Sequence, residues 1–414
     1  MKTKTFARRI TRPAFLSPAL AGIMVSAFAL FGSASWLWAQ TTIAAVSVKD
    51  YGAKGDGTND DTAAFQSAIA AAQSLNQNGV YVPMGRYVIT ATLTLSQLEL
   101  VGKFAGGWPA DSMPMPTLLL RHYTEPGLVL QDGSSVHGIS LFYDSGSPSN
   151  SIAPAISLQG QGVTLSSLRI QTPYDAITTP ASATPSRARL SDIFIVQPKN
   201  VGVQISKAYD FVQCHHIEVW CNSFLPTGSA FRLGRIDGGT FNGLVAFQVP
   251  TGVEIYTDTD AGGGTFSGSF LNCCADLSNT GVSITGNHTV SITGGDWDCH
   301  NYGTIIDGTN AQVTIVGGKW HVNSAQGMKI NHGANIVINA CMFYRSTTAP
   351  APFVWAANCT TVTVNACQFL PGSTGLQLDN QVQRAIITAN SFEAGGIINN
   401  MTSTKQIIAN NLLP

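Results

Sequence analysis

From residue 281 onward the apolar positions recur as pairs of short alternating runs. Cut before each fresh run, the chain reads GVSITGNHTVSITGGDWDCHNY, GTIIDGTNAQVTIVGGKWHVNSAQ, GMKINHGANIVINACMFYRSTTAPAP, FVWAANCTTVTVNACQFLPGST, GLQLDNQVQRAIITANSFEAGG and IINNMTSTKQIIANNLLP. These units begin at 281, 303, 327, 353, 375 and 397, so the repeat is 22 to 26 residues long. Each holds two period-2 apolar segments, a small or Asn-containing turn, and one large apolar residue: Trp297, Trp320, Phe343, Phe369, Phe392 or Leu412. A unit this short cannot bury its apolar face alone, so the units must stack and share one core. The alternation is rich in β-branched residues, is broken by Gly and Asn, and has no helical or heptad period, which predicts a β-solenoid.

The same pattern reaches back, less regularly, to GLVLQDGSSVHGISLFYDSG at 127. Several of these earlier coils carry extra length in loops, at Ser145–Pro154 and Pro180–Arg187, that either line a binding face or are disordered. Residues 92–126 read as one irregular coil with an excursion. Before them, VSVKDYGAKGDGTNDDTAAFQSAIAAAQSLNQNGVYVPMGRYVIT predicts a helix near Asp60–Leu75 and strands at Gly79–Pro83 and Arg86–Ala91. Asn59 and Asp60 offer N-caps, and Phe65, Ile69, Ala72 and Leu75 share one helical face. Such a helix is the lid that an open, apolar solenoid end requires. Asp56, Asp60 and Asp61 are read as turn and cap residues, not as a metal loop.

The run VKDYGAKGDGTNDDTAAFQSAI followed by VYVPMGRYVI resembles the opening of the pectate-lyase-like superfamily, which includes polygalacturonase-related proteins, rhamnogalacturonan-degrading enzymes and phage tailspike depolymerases. The resemblance covers about 50 residues. It implies an all-β, single-stranded, right-handed parallel β-helix of about a dozen coils with an N-terminal capping helix, and a carbohydrate-active protein. Parallel strands on successive coils are then expected to pair 22–29 residues apart. Family-type catalytic motifs are absent. No Asn-Thr-Asp, Asp-Asp, Gly-His-Gly and Arg-x-Lys succession is present, DWD at 296–298 is a loose echo of the second, and the Arg-rich strand of calcium-type pectate lyases is missing.

Composition narrows the function classes. Charged residues are 11% of the 414, Gly is plentiful at 41, and net charge is −1, so no basic footprint for nucleic acid or an anionic membrane exists. Lys2, Lys4, Arg8, Arg9 and Arg12 precede an apolar run from Phe15 to Trp38, which reads as an export signal over 1–39 cleaved after Ala39 or Ala34. Arg8-Arg9 suggests a twin-arginine leader, though Ile10-Thr11 continues it poorly, and an uncleaved anchor is the competing reading. The expected layout is leader 1–39, cap and irregular coils 40–126, and β-helix 127–414, secreted or periplasmic, as monomer or homotrimer. All eight Cys lie between 214 and 367. Cys341 and Cys367 hold one repeat position in adjacent coils, so they either form a disulfide or stack as thiols.

The repeat also places residues on rows. Taking Ile217, Leu244, Leu271, Trp297, Trp320, Phe343, Phe369 and Phe392 as inward, their neighbours point outward because side chains alternate. Asp296, Asp298, Lys319, His321 and Tyr344 then form one outward patch across three coils, the densest gathering of titratable groups in a charge-poor chain. Two carboxylates in such reach suit glycoside hydrolysis, with Asp296, Asp298 and His321 as catalytic candidates and Lys319 holding a carboxylate ionised. Lys319, Tyr344, Arg345, Glu218 and Trp220 are substrate-binding candidates, with Trp220, Tyr302 and Tyr344 as stacking surfaces. Glu218 falls on the Asp298 row, three coils away. Of His215 and His216, one is expected inside and one outside. β-Elimination would instead use His321 or Lys319 as base, with Arg345 or Ca²⁺ neutralising a uronate. No cofactor is required otherwise, no metal ligand set is expected, and Thr257–Gly264, with Asp258 and Asp260, reads as a Gly-rich turn more than a Ca²⁺ loop. Substrate is a polysaccharide, and the competing reading is a non-catalytic carbohydrate-binding or cell-surface β-helix.

Overall fold

A computed structural model describes residues 45–103, 115–144, 153–222, 228–259, 263–323, 326–346, 350–372, 374–393 and 395–414. The leader region and most of the Ser145–Pro154 loop lie outside the described residues. Short alternating runs with turn residues between them form 36 strands, and every ladder pairing among them is parallel. The chain winds through about thirteen turns of a solenoid whose three faces are here called sheets A, B and C. Sheet A runs from Arg86–Ile89 through Asp296–Asp298 to Ser391–Phe392. Sheet B runs from Leu93–Leu95 to Ile397–Asn399, and sheet C from Ala45–Ser47 to Gln406–Ala409. Long strands such as Asp296–Asp307 bend from sheet A into sheet B without a break.

Inward residues make continuous ladders. Trp297 and Trp320 stack with ring centres 5.2 Å apart, Phe343 and Phe369 at 4.9 Å, and Phe369 and Phe392 at 4.6 Å. All are buried. Offset stacking of this kind adds to the hydrophobic gain of burying each ring. The repeat starts read from the sequence coincide in space, with Gly281, Gly303, Gly327 and Phe353 on neighbouring coils.

The one α-helix among the described residues spans Thr62–Ser74 and covers the first coil with Phe65, Ala68, Ile69 and Ala72. Phe65 meets Tyr87 edge-on at 5.2 Å. Leu75, expected on that face, lies just past the helix and is 60% exposed. Asp61 occupies the N-cap position, but its carboxylate accepts from the Lys54 and Gly55 amides, while Asp60 accepts from the Thr62 amide. Asp56 accepts from Thr58 and Asn59, whose backbone amides hold its carboxyl well below the usual range. All three aspartates therefore hold the turn and helix start.

Two placements differ from the sequence reading. Leu271 is exposed, Leu244 is buried in the turn before sheet A, and Ile217 is buried at the first sheet A position of its strand, paired with Ile193 and two residues before the true ladder position. The true partners of Trp297 along the ladder are Ala275, Ala246 and Val219. Several coils enter sheet A through a left-handed residue followed by a buried one: His216-Ile217, Gly243-Leu244, Asn272-Cys273, Ala340-Cys341. Where that turn residue is apolar it imitates the strand that follows. His216 is correspondingly on the outside, 3.4 Å from Asp192, and His215 is half-buried, so neither lies in the core. All eight cysteines are thiols, and Cys341 stands opposite Cys367 on the next coil.

Candidate functional site on sheet A

The corrected register assembles two outward rows on sheet A. One reads Trp220, Phe247, Asp276, Asp298, His321, Tyr344 on six successive strands. The other, two residues earlier on each strand, reads Glu218, Val245, Cys274, Asp296, Lys319, Met342. Five strand steps make the first row about 24 Å long. Asp296, Asp298, Lys319, His321 and Tyr344 thus come together as the sequence reading placed them. Glu218 belongs to the Asp296 row, and Trp220 takes the place beside Phe247 on the Asp298 row.

Asp276 joins the patch and was missed, because the apolar Leu271 and the doubled Cys273-Cys274 hid its register. The signal was present: Ala275 alternates between Cys274 and Asp276 as Trp297 does between Asp296 and Asp298.

The polar contacts are specific. His321 Nδ1 lies 2.8 Å from Asp298 Oδ1, and its Nε2 lies 3.2 Å from Ser346 Oγ, which donates to Asn323 Oδ1 at 2.7 Å. The His321 ring stacks on Tyr344 with centres 4.5 Å apart and planes 4° off parallel. A flat ring clamped on one face and tied at both nitrogens has one orientation. Lys319 Nζ is 3.9 Å from Asp296 Oδ2, with both side chains more than half exposed, so this pair contributes little stability.

Charges in the patch act on one another. The Asp276 carboxyl is raised above its ordinary value, first by the desolvation its neighbours impose and then by the charge of Asp298, with Asp296 adding less. Tyr344 is raised by burial and then by Asp296 and Asp298. Glu218 is raised by burial. Cys274 is pushed up to about 11 by burial and by Asp276, Asp296 and Glu218. At the far end Trp220 and Phe247 stack at 5.6 Å, a flat apolar platform that begins on the strand next to Asp276. Arg345 does not join the patch. It is buried, its guanidinium lies 4.9 Å over the Phe353 ring, and Nη1 donates to the Ala351 carbonyl. Among the described residues no group of three or more His, Cys, Asp or Glu forms a metal cage.

Comparison with known proteins follows the same line. Residues 45–112 match the family model described as rhamnogalacturonase A/epimerase, pectate lyase-like. The chain is 40% identical over 81 residues to mannuronan C5-epimerase AlgE2 and 52% identical over 78 residues to alginate lyase 7, both of Azotobacter vinelandii. Those stretches cover 16% and 15% of this chain but only 8% and 9% of the relatives. Among solved structures, the A-module of mannuronan C-5 epimerase AlgE6 of Azotobacter vinelandii superposes with a TM-score of 0.61 at 17% identity, over 89% of this chain and 99% of the module. The tailspike protein of E. coli bacteriophage HK620, solved with a pentasaccharide, gives 0.59 at 11% identity over 89% and 78%. The GH87 α-1,3-glucanase catalytic unit of Streptomyces thermodiastaticus gives 0.53 at 16% over 90% and 69%. The N-terminal segment 45–112 thus carries the rhamnogalacturonase A/epimerase, pectate lyase-like signature, and the coils share the parallel β-helix fold of these structures.

Proposed function

We propose that the chain hydrolyses a polysaccharide laid along the sheet A groove, with Asp276 as general acid and Asp298 as the opposing base or nucleophile. The observation that carries this is the asymmetry between two carboxyls on adjacent strands. Asp276 is shifted toward the protonated form, while Asp298 is held against His321. A raised carboxyl beside one fixed by an imidazole suits the division of acid and base roles in glycoside cleavage. Protonated Asp276 delivers its proton to the glycosidic oxygen as the bond to C1 breaks, and Asp298 attacks C1 or activates the water that does. Trp220 and Phe247 offer a stacking platform on one side of the carboxylates, and Tyr344 with His321 offers another. Three aspartates against Lys319 make the cleavage point acidic, which favours a neutral sugar there over a uronate.

A second reading rests on a different observation. An imidazole held by Asp298 and stacked on a phenol is a base beside an acid, the pair needed to remove and return a proton at C5 of a uronate. Several relatives of the N-terminal segment are named for such chemistry, as mannuronan C5-epimerases and an alginate lyase. Product analysis on a panel of neutral and uronate glycans separates the readings. New reducing ends alone mean hydrolysis, and ultraviolet-absorbing unsaturated ends mean elimination. Inverted C5 centres without new ends mean epimerisation, and no change on any glycan means binding alone. On a cleaved substrate, Asp276→Asn is expected to lose more than about a hundredfold in rate, the scale of positioned acid–base help. Wild-type activity is expected to fall on the alkaline side as Asp276 ionises. Full activity in Asp276→Asn would refute the assignment.

A further inference from the structure

Sheet B carries a second polar cavity, built from four successive coils and sharing no residue with the sheet A patch. Its volume is about 330 Å³, and its walls include Thr179, Ala181, Lys207, Arg232, Tyr256 and Asp258. The start of the Pro180–Arg187 loop, Pro180 and Ala181, forms part of its rim. This size is at the lower end of small-molecule sites, enough for one sugar unit and not a chain.

The buried cation in its walls, Lys207, is not ion-paired with a carboxylate of the wall. Lys207 is 8% exposed and adopts a left-handed backbone conformation, with φ of 57°. Its ammonium donates to the Ala181 carbonyl, and among the described residues no carboxylate lies within ion-pairing distance of it. A buried ammonium without a counter-charge is costly unless an anion completes the site. Arg232 adds a second cation. Its guanidinium lies 4.5 Å over the Tyr256 ring and its Nε lies 3.4 Å from Glu254. Asp258 is also 8% exposed and accepts from the buried Ser206 hydroxyl. A carboxylate in the wall repels a dense anion and welcomes hydroxyl donors. Thr179, Thr257 and Tyr256 add further hydroxyls around the same space.

We infer that this cavity binds one acidic sugar unit, its carboxylate at Lys207 and its hydroxyls on Asp258, Thr179 and Thr257. The chemistry asks for one negative group and several hydroxyls on one small ring. Inorganic phosphate lacks the hydroxyl array and would be repelled by Asp258, and a neutral hexose leaves Lys207 without its anion. The site is an anchoring site, and its occupancy is independent of any reaction on sheet A.

The test is titration calorimetry of the full chain with sodium glucuronate, glucose and inorganic phosphate, repeated for Lys207→Met, Arg232→Gln and Asp276→Asn. Glucuronate is expected to bind wild type and Asp276→Asn alike. Lys207→Met is expected to weaken it at least about tenfold, the scale of one charge-assisted hydrogen bond. Thermal unfolding establishes that the variant is folded. Should Lys207→Met not fold, Arg232→Gln, altering a side chain already 38% exposed, carries the same test with loss of affinity expected. Unchanged affinity in the folded cavity variant, glucose or phosphate binding as tightly as glucuronate, or no binding at millimolar glucuronate would each overturn the proposal. Loss of binding in Asp276→Asn would place the ligand on sheet A and overturn it as well.

Discussion

Three aspartates share the sheet A patch, and their neighbours separate them. Asp298 has His321 at 2.8 Å and Asp296 has Lys319 at 3.9 Å, whereas the donor that meets the Asp276 carboxylate is the Leu277 amide. Burial and two like charges outweigh that amide, so the folded chain binds the Asp276 proton more tightly than the unfolded chain does. The unfolded value is about 3.9. Stability from this residue is therefore lost as pH rises from about 4 through the folded value, because the folded state holds more protons over that range. Asp276→Asn stays neutral throughout. It is expected to melt above wild type at pH 7, with the gain shrinking to nothing as pH falls toward 4, as followed by thermal unfolding at several pH values. A wild type that melts higher at pH 7 would contradict the raised value. In the proposed hydrolysis the same substitution is expected to lose more than about a hundredfold in rate, so on that proposal the residue trades stability for chemistry. Asp298, His321, Lys319 and Tyr344 were legible from the repeat because Trp297, Trp320 and Phe343 mark their strands. Asp276 was not, because its strand is marked only by Ala275, whose small side chain gives no hydrophobic peak.

The turn before sheet A explains that lapse and supplies its own test. It opens with a left-handed residue, which is His216, Asn272, Ala340 and Ala366 in some coils and Gly294 or Gly317 in others. The following residue is buried and is Ile217, Leu244, Cys341 or Cys367, except in two coils where Gly295 and Gly318 take it with φ of 96° and 86°. Those are the coils with Trp297 and Trp320 two positions later. A Cβ on Gly295 would lie 2.1 Å from the Cys273 carbonyl oxygen and 2.9 Å from the Trp297 indole nitrogen. The glycine therefore makes room for the indole, and Gly-Gly-x-Trp is one packing unit. A Cβ on Gly294 meets only the Asn272 side chain, and other coils place side chains at that position. Gly294→Asn is expected to shift the melting temperature slightly. Gly295→Ala adds backbone strain of about 1–2 kcal/mol to a backbone clash, and is expected to lower the melting temperature by several degrees at least. Equal shifts in thermal unfolding would disprove the distinction. The alternation thus makes sheet identity readable in sequence, but an apolar turn residue such as Leu244 is chemically indistinguishable from a strand residue. Register is settled by backbone geometry that the pattern does not record.

A stacked solenoid draws its stability from contacts between successive coils, so each interior coil has two neighbours and a terminal one has one. The two ends of the described stack are finished differently. At the N-terminal end Phe65, Ala68, Ile69 and Ala72 of the helix close the core over Tyr87. At the other end the strands Ile397–Asn399 and Gln406–Ala409 carry Ile398 at 41%, Ile407 at 56% and Ile408 at 41% exposure, with Leu412 at 69% beyond them. Within the described stack this coil buries its apolar residues on one side only, against the coil before it. Local opening free energy follows buried contacts, and regions with few of them open first. Amides of 397–414 are expected to exchange with deuterium well before those of 281–323, where Trp297 and Trp320 are enclosed on both sides. The amides that pair sheet A through Asp276, Asp298 and His321 fall in the protected interior. The sheet A patch thus lies on strands with coils on both sides, which suits the proposed site, where carboxyls must be held at fixed separation. Hydrogen exchange read by mass spectrometry on the full chain checks this directly. Protection of the last coil equal to that of 281–323, at every protein concentration, would show that single-sided stacking does not limit its stability. Protection that rises with concentration would instead show a second copy covering the apolar end.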